Sequence, residues 1–256
     1  MSELRIVSLV PSLTELAVAL GLGGRLVGRT GFCIHPREEV QDIPKLGGTK
    51  DPDLERLAAL APTHVLLNQD ENRLETFEAL RRLGATLVIT HPCAPADNLA
   101  LLDQFVDAFG AVPGVAGRAR ALRDDIEHEL ALTTGRAWPT RQALYLIWRG
   151  PWMTVARGTY ISRMLACVGW QTLPAQHGGP LGAARYPVVE ADAPWLGDVD
   201  ELLLSSEPYR FRERHIAEAQ ALAPKARVRL VDGELLSWYG PRAGRGLAYL
   251  RELASA

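Results

Sequence analysis

The sequence predicts an α/β protein of two lobes, each a parallel sheet covered by helices, joined by a single long α-helix. Three observations predict it. From Arg5 to Thr90, short apolar runs alternate with amphipathic helical patterns. From Ala96 to Thr133 the pattern is helical throughout, broken only near Gly110, Pro113 and Gly114. After GRAWPT, residues 135–140, the alternation resumes and runs to the C-terminus. Short apolar runs of strand length set against longer stretches with an apolar period near 3.6 are what separate strand from helix here. The division that follows is a first lobe over 1–110, a connecting helix over 111–136 and a second lobe over 137–256.

Taken in order, Arg5 to Val10 is a short buried strand, and Pro11 starts a helix in which Ser12 and Glu15 have the spacing of a capping box. Gly21 ends that helix. A strand at Leu26 to Arg29 leads into a polar stretch, Thr30 to Lys50. Asp53 caps a helix from Leu54 to Ala61, His64 to Asn68 is a strand, Arg73 to Leu83 a helix closed by Gly84, and Thr86 to Thr90 a strand. In the second lobe, Ala143 to Trp148, Glu201 to Leu204 and Arg227 to Val231 are strands. Helices fall at Thr159 to Val168, at Arg214 to Leu222 and after Gly244. THVLLNQDENR and DELLLSSEPYRF each end a strand in a polar, acidic loop, so the two lobes echo one another. Ligands of such sheets bind at the carboxyl ends of the strands.

Composition narrows the function. The 256 residues are 47% hydrophobic, normal for a packed core, and the formal charge of -2 removes the electrostatic reason to expect nucleic acid. Three scattered cysteines do not make a disulfide framework. The first apolar run is interrupted by Pro11, Ser12, Thr14 and Glu15, so it reads neither as a leader nor as a membrane span. As written the chain is expected in the cytoplasm; the alternative is a periplasmic or extracellular protein whose leader was removed. G-x-S-x-G and H-E-x-x-H do not occur, which argues against hydrolase chemistry, and no catalytic residue is assigned.

Several stretches carry a resemblance. SLVPSLTELAVALG, LGGTKDPDLERLAALAPTHVLLN, LRRLGATLVI and GTYISRMLACVGW, in this order and spacing, resemble the helical-backbone (class III) substrate-binding proteins of ABC importers, the vitamin B12 and ferric siderophore type. FCIHP, GGTKDP, NQDENR, WRGPWMTVARGTYI, SSEPYRF and DGELLSWYGPR are most similar to a leaderless branch called helical-backbone metal receptors or cobalamin-binding proteins. The resemblance implies two Rossmann-like lobes on one helical backbone. It further implies non-enzymatic binding of a metal chelate, a corrinoid or ferric siderophore, in a cleft between the lobes. A permease partner is implied too, but the acidic residues through which such lobes dock are incomplete. The first falls near Leu74, with Glu75 beside it, and Gly240-Pro241-Arg242 offers no acid for the second.

The residues themselves nominate two sites. Trp148 and Trp152, Tyr209 and Phe211, and Trp238 and Tyr239 each follow a second-lobe strand. Flat rings at strand ends suit a planar ligand, with Arg149, Arg210 and Arg242 available for its carboxylates or phosphates. Lys50, just ahead of a helix, adds a cation in the first lobe. Cys33 with His35, and His91 with Cys93, supply thiols and imidazoles that suit zinc. They give either a four-ligand site or, from Cys33 or His35 alone, one axial bond to a chelated metal; otherwise the cysteines are packing residues. Asp70, Glu71 and Glu207 read as caps or solvated acids. Two other functions compete with chelate binding: a cytoplasmic enzyme that remodels tetrapyrroles or siderophores, and a zinc chaperone built on the Cys/His pairs.

Overall fold

The computed structural model describes residues 3–256, and the chain divides into two compact units. The first holds Met1–Pro92, Asn98–Asp125 and Tyr239–Pro241; the second holds Cys93–Asp97, Ile126–Trp238 and Arg242–Ala256.

In the first unit the elements are β1 (Ile6–Ser8), α1 (Pro11–Ala19), β2 (Leu26–Arg29), α2 (Arg37–Val40), α3 (Leu54–Ala59), β3 (His64–Asn68), α4 (Leu74–Arg81), β4 (Thr86–Thr90) and α5 (Asp97–Phe109). Helix α6 (Val115–Thr134) follows, counted with the first unit as far as Asp125 and with the second from Ile126. The second unit continues with β5 (Arg141–Leu146), α7 (Tyr160–Ala166), β6 (Trp170–Thr172), β7 (Glu201–Ser205), α8 (Ile216–Leu222), β8 (Arg227–Val231), α9 (Gly233–Ser237) and α10 (Ala243–Ser255).

Each unit carries one four-stranded parallel sheet, ordered β2-β1-β3-β4 and β6-β5-β7-β8. The two orders are the same when each unit's strands are counted from its own start. Both sheets therefore change direction around their first strand, and the connections leaving β1 and β3, or β5 and β7, diverge at the carboxyl end. A crevice of this kind is where open α/β sheets take ligands. The central strands β1, β3, β5 and β7 are largely buried because both faces of a parallel sheet are covered, whereas the edge strands β6 and β8 keep exposed polar residues. Val7, Leu9, Val65, Leu67, Leu57 and Leu80 form one face's core in the first unit, and Leu144, Leu146, Leu202, Leu204 and Phe211 do so in the second.

One local expectation needs correction, and one strand was not expected. Ser12 and Glu15 do not form a capping box: Val10 occupies the cap with no side-chain bond, because Pro11, with its fixed φ, is already the first helical residue. Ser12 lies inside the helix with its hydroxyl buried. And WQT at 170–172, only three residues after a helix, is a strand, made one by its pairing with Arg141–Ala143.

Candidate functional site

In the first unit the strand-end loop is built by asparagine. Asn68 Oδ1 accepts the backbone N–H groups of Asp70 (2.8 Å) and Glu71 (3.3 Å), while Asn72 Oδ1 accepts the N–H of Asn68 (2.9 Å). Side-chain acceptors of this type close a polar stretch into a compact turn. The turn sets Asp70 and Glu71 at the end of β3. Lys50 Nζ donates to the Asp70 carbonyl at 2.6 Å, so this cation is spent holding the loop. Burial lowers its pKa, against the opposing charges of Glu71 and Asp70. His91 Nε2 lies 3.4 Å from Asp70 Oδ2.

Tyr239 belongs to this unit. Its hydroxyl donates to Glu71 Oε1 at 3.0 Å, and burial, then the Glu71 charge, pushes the phenol well above its ordinary range. The next residue, Gly240, has φ +80° and gives its N–H to Asn98 Oδ1 at 2.6 Å. That backbone region admits glycine without steric cost, which is why the Trp-Tyr pair runs into Gly-Pro. Glu71, expected to be a cap or a solvated acid, is the acceptor that fixes the Tyr239 hydroxyl.

In the second unit, alternation sorts the side chains after β7. Tyr209 N donates to the Ile147 carbonyl and Phe211 N to that of Ser205, each at 3.2 Å, and both rings turn toward the core. Tyr209 meets Trp148 edge-on (centroids 5.7 Å apart), and Phe211 stacks on Trp152 (6.0 Å, planes 8° apart). These four rings and His215 form one cluster. Most of it is packing. Trp148 is the member that remains open, 42% exposed. Arg149 beside it is paired with Glu218, Nε to Oε2 at 2.8 Å. Phe211 also helps line a shallow pocket of about 260 Å³, with Leu204, Ser206, Leu230, Val231 and Asp232.

Trp238 lies outside that cluster of rings. Between β8 and Trp238 the chain forms α9, whose N-terminus Asp232 caps by accepting the Leu235 N–H at 3.0 Å. Gly233 is required there, since a Cβ would come 2.3 Å from Ser205 Oγ. Trp238 ends the helix and is 8% exposed. Its indole N–H donates to Glu207 Oε1 at 2.5 Å, Ser237 Oγ donates to the same oxygen at 2.8 Å, and the Arg242 guanidinium sits 4.5 Å over the ring. Arg242 is itself paired with Glu234. Trp238, nominated from the sequence as a ring for a planar ligand, is thus a buried ring held in a polar network.

Burial pushes the Glu207 carboxyl above the usual carboxylate range, helped by Glu234 and opposed by Ser237, Trp238 and Arg242. With the folded pKa above the unfolded one, the carboxyl favours the folded state at low pH, and this is lost as pH rises through the folded value. Glu207→Gln, which keeps an acceptor for the indole, is therefore expected to gain stability relative to the natural protein as pH rises from about 4 to 8. Urea unfolding across that range checks it; a difference independent of pH would show an unperturbed carboxyl.

The four-ligand metal site does not form. Among the described residues no three His, Cys, Asp or Glu side chains lie close enough to hold a metal ion. Cys33 is fully buried with its Sγ 3.1 Å from Thr30 Oγ1, and burial raises its thiol pKa, so it stays a protonated packing residue. His35 is half-buried. Cys93 counts with the second unit, where Arg185 Nη2 approaches its sulfur at 3.5 Å.

A family model described as periplasmic binding protein matches residues 6–199. Among curated proteins, a vitamin B12-binding protein of Vibrio parahaemolyticus is 24% identical over 218 residues, 82% of this chain and 71% of that protein. Among solved structures, the periplasmic vitamin B12-binding protein BtuF of Vibrio cholerae superposes with a TM-score of 0.79 at 19% identity, covering 98% of this chain and 97% of the other. A periplasmic heme-binding protein from Pseudomonas aeruginosa gives a TM-score of 0.79 at 23% identity, with 98% and 92% covered. Among the described residues no helix is long and apolar enough to cross a membrane.

Proposed function

Because the chain belongs to the periplasmic binding protein family, we propose that it is a non-enzymatic binding protein whose ligand is a metal chelate of the corrinoid, tetrapyrrole or ferric siderophore type. The observation that carries this reading is the match over residues 6–199, joined to relatives named for vitamin B12 and heme. The two parallel sheets support it, since each has a switch point between its first and third strands, where sheets of this kind take ligands. The chelate is a ligand, not a resident cofactor. Family membership also supports export to the periplasm or cell surface and delivery to an ABC permease; fractionation of the native host and co-purification with a permease test these two steps.

Titration with cyanocobalamin, iron protoporphyrin and a ferric hydroxamate, followed by visible absorbance, tests the reading directly. Saturable binding of one of them is expected, with no chemical change in the recovered ligand. Consumption of the chelate would favour a remodelling enzyme instead. Trp148, the exposed ring of the cluster, is the residue proposed to lie flat against the ligand. Trp148→Ala is expected to weaken binding by about 1–3 kcal/mol. Its melting temperature should stay close to that of the natural protein, because less packing is lost at an open position. Unchanged binding would move the ligand away from this loop.

A further inference from the structure

Resting on the chelate-binding reading, we infer that the second unit selects for ligands with an anionic periphery, and that Arg210 and Arg212 make the selection. The sequence ordering is simple. In EPYRFRER the residues after β7 alternate, so that Tyr209 and Phe211 go to the ring cluster while Arg210 and Arg212 are exposed. The backbone explains why: the Tyr209 N–H bonds to the Ile147 carbonyl, and the Phe211 N–H to the carbonyls of Ser205 and Tyr209, a tight turn about residue 210 that holds the two rings inward and leaves the side chains of Arg210 and Arg212 exposed.

The other charges nearby do not cancel them. Arg149 and Glu218 neutralise each other across 2.8 Å, Arg214 Nε leans on His215 Nε2 at 3.3 Å, and Glu207 Oε1 accepts from Ser237 and Trp238, which leaves Glu213 as the other acid of this loop. Among the described residues neither Arg210 nor Arg212 is joined to a carboxylate. Two exposed guanidiniums on the loop that supports the open face of Trp148 make a rim suited to carboxylates or phosphates at the edge of a flat ligand. A chelate bearing only amides there would gain nothing from them.

The test uses one macrocycle with two peripheries: dicyanocobyrinate, with free carboxylates, and dicyanocobinamide, whose corresponding groups are amides. The full chain is expected to bind the carboxylate form at least about tenfold more tightly in low salt, with the gap shrinking as ionic strength rises. In the double variant Arg210→Gln and Arg212→Gln the preference should disappear while the melting temperature is kept, as expected for exposed positions. Equal or tighter binding of the amide form by the natural protein overturns the charge inference and leaves chelate binding standing. So does a preference that survives in the double variant. If neither corrinoid, nor iron protoporphyrin, nor a ferric hydroxamate binds, the underlying reading falls and this inference falls with it.

Discussion

Trp238→Ala is expected to cost about 3–5 kcal/mol of folding stability, the range for truncating a large buried aromatic residue. The ring is 8% exposed, covered on one side by the Arg242 guanidinium, and its N–H satisfies Glu207. Truncation therefore leaves a cavity, removes a donor from a buried carboxylate and exposes the stacking face of an ion-paired arginine. For a chain of this size the melting temperature should fall by roughly 10 °C. Trp238→Phe separates the parts, since it fills most of the volume but lacks the N–H; it should lose less. If Trp238→Ala melts normally yet fails to bind the chelate, the ring serves the ligand and not the fold.

Glu201→Leu should be comparably damaging. Glu201 Oε2 and Arg229 Nε are 3.1 Å apart, with side chains only 7% and 11% exposed. Burial raises the pKa of the acid and lowers that of the arginine, so each charge is tolerated chiefly because of the other. Arg229 also donates to the Leu253 carbonyl at 2.5 Å, and its guanidinium faces the Trp170 ring, so it has little freedom to escape to water. Removing one partner of a buried pair costs about 3–5 kcal/mol, whereas replacing both with apolar residues of similar volume is often close to neutral. Urea unfolding of Glu201→Leu, Arg229→Met and the double variant measures this. A double variant as unstable as the worse single one would mean that packing, not the uncompensated charge, sets the cost.

The proposed binding surface divides between what was legible and what was not. That rings and arginines follow the second unit's strands was plain from the sequence, and the structure brings Trp148, Trp152, Tyr209 and Phe211 together as expected. Which of them face solvent was not legible. Trp152 and Tyr209 pack on the core, and Trp238 and Arg242 belong to a separate network. A hydrophobic ring carries no local mark of whether a strand, a carboxylate or a ligand will cover it. The cysteine and histidine pairs failed for a related reason: residue type indicates affinity for zinc, but a site needs side chains to converge, and convergence is a property of the packed chain.

By itself the sequence determined the two parallel sheets, since short strand-length runs rich in apolar and β-branched residues alternate with amphipathic helical stretches. Leu26–Arg29, His64–Asn68, Thr86–Thr90 and Arg227–Val231 have the limits expected of them. These signals are local, carried within five or so consecutive residues. Only the tertiary structure decided that Trp238 and Tyr239 are buried, because the groups that hold them are remote in the chain: Glu207 lies 31 positions from Trp238, and Glu71 lies 168 from Tyr239. Hydrogen bonding of a buried polar group depends on which partner folding brings within about 3 Å, and no pattern of neighbours along the chain encodes that distance.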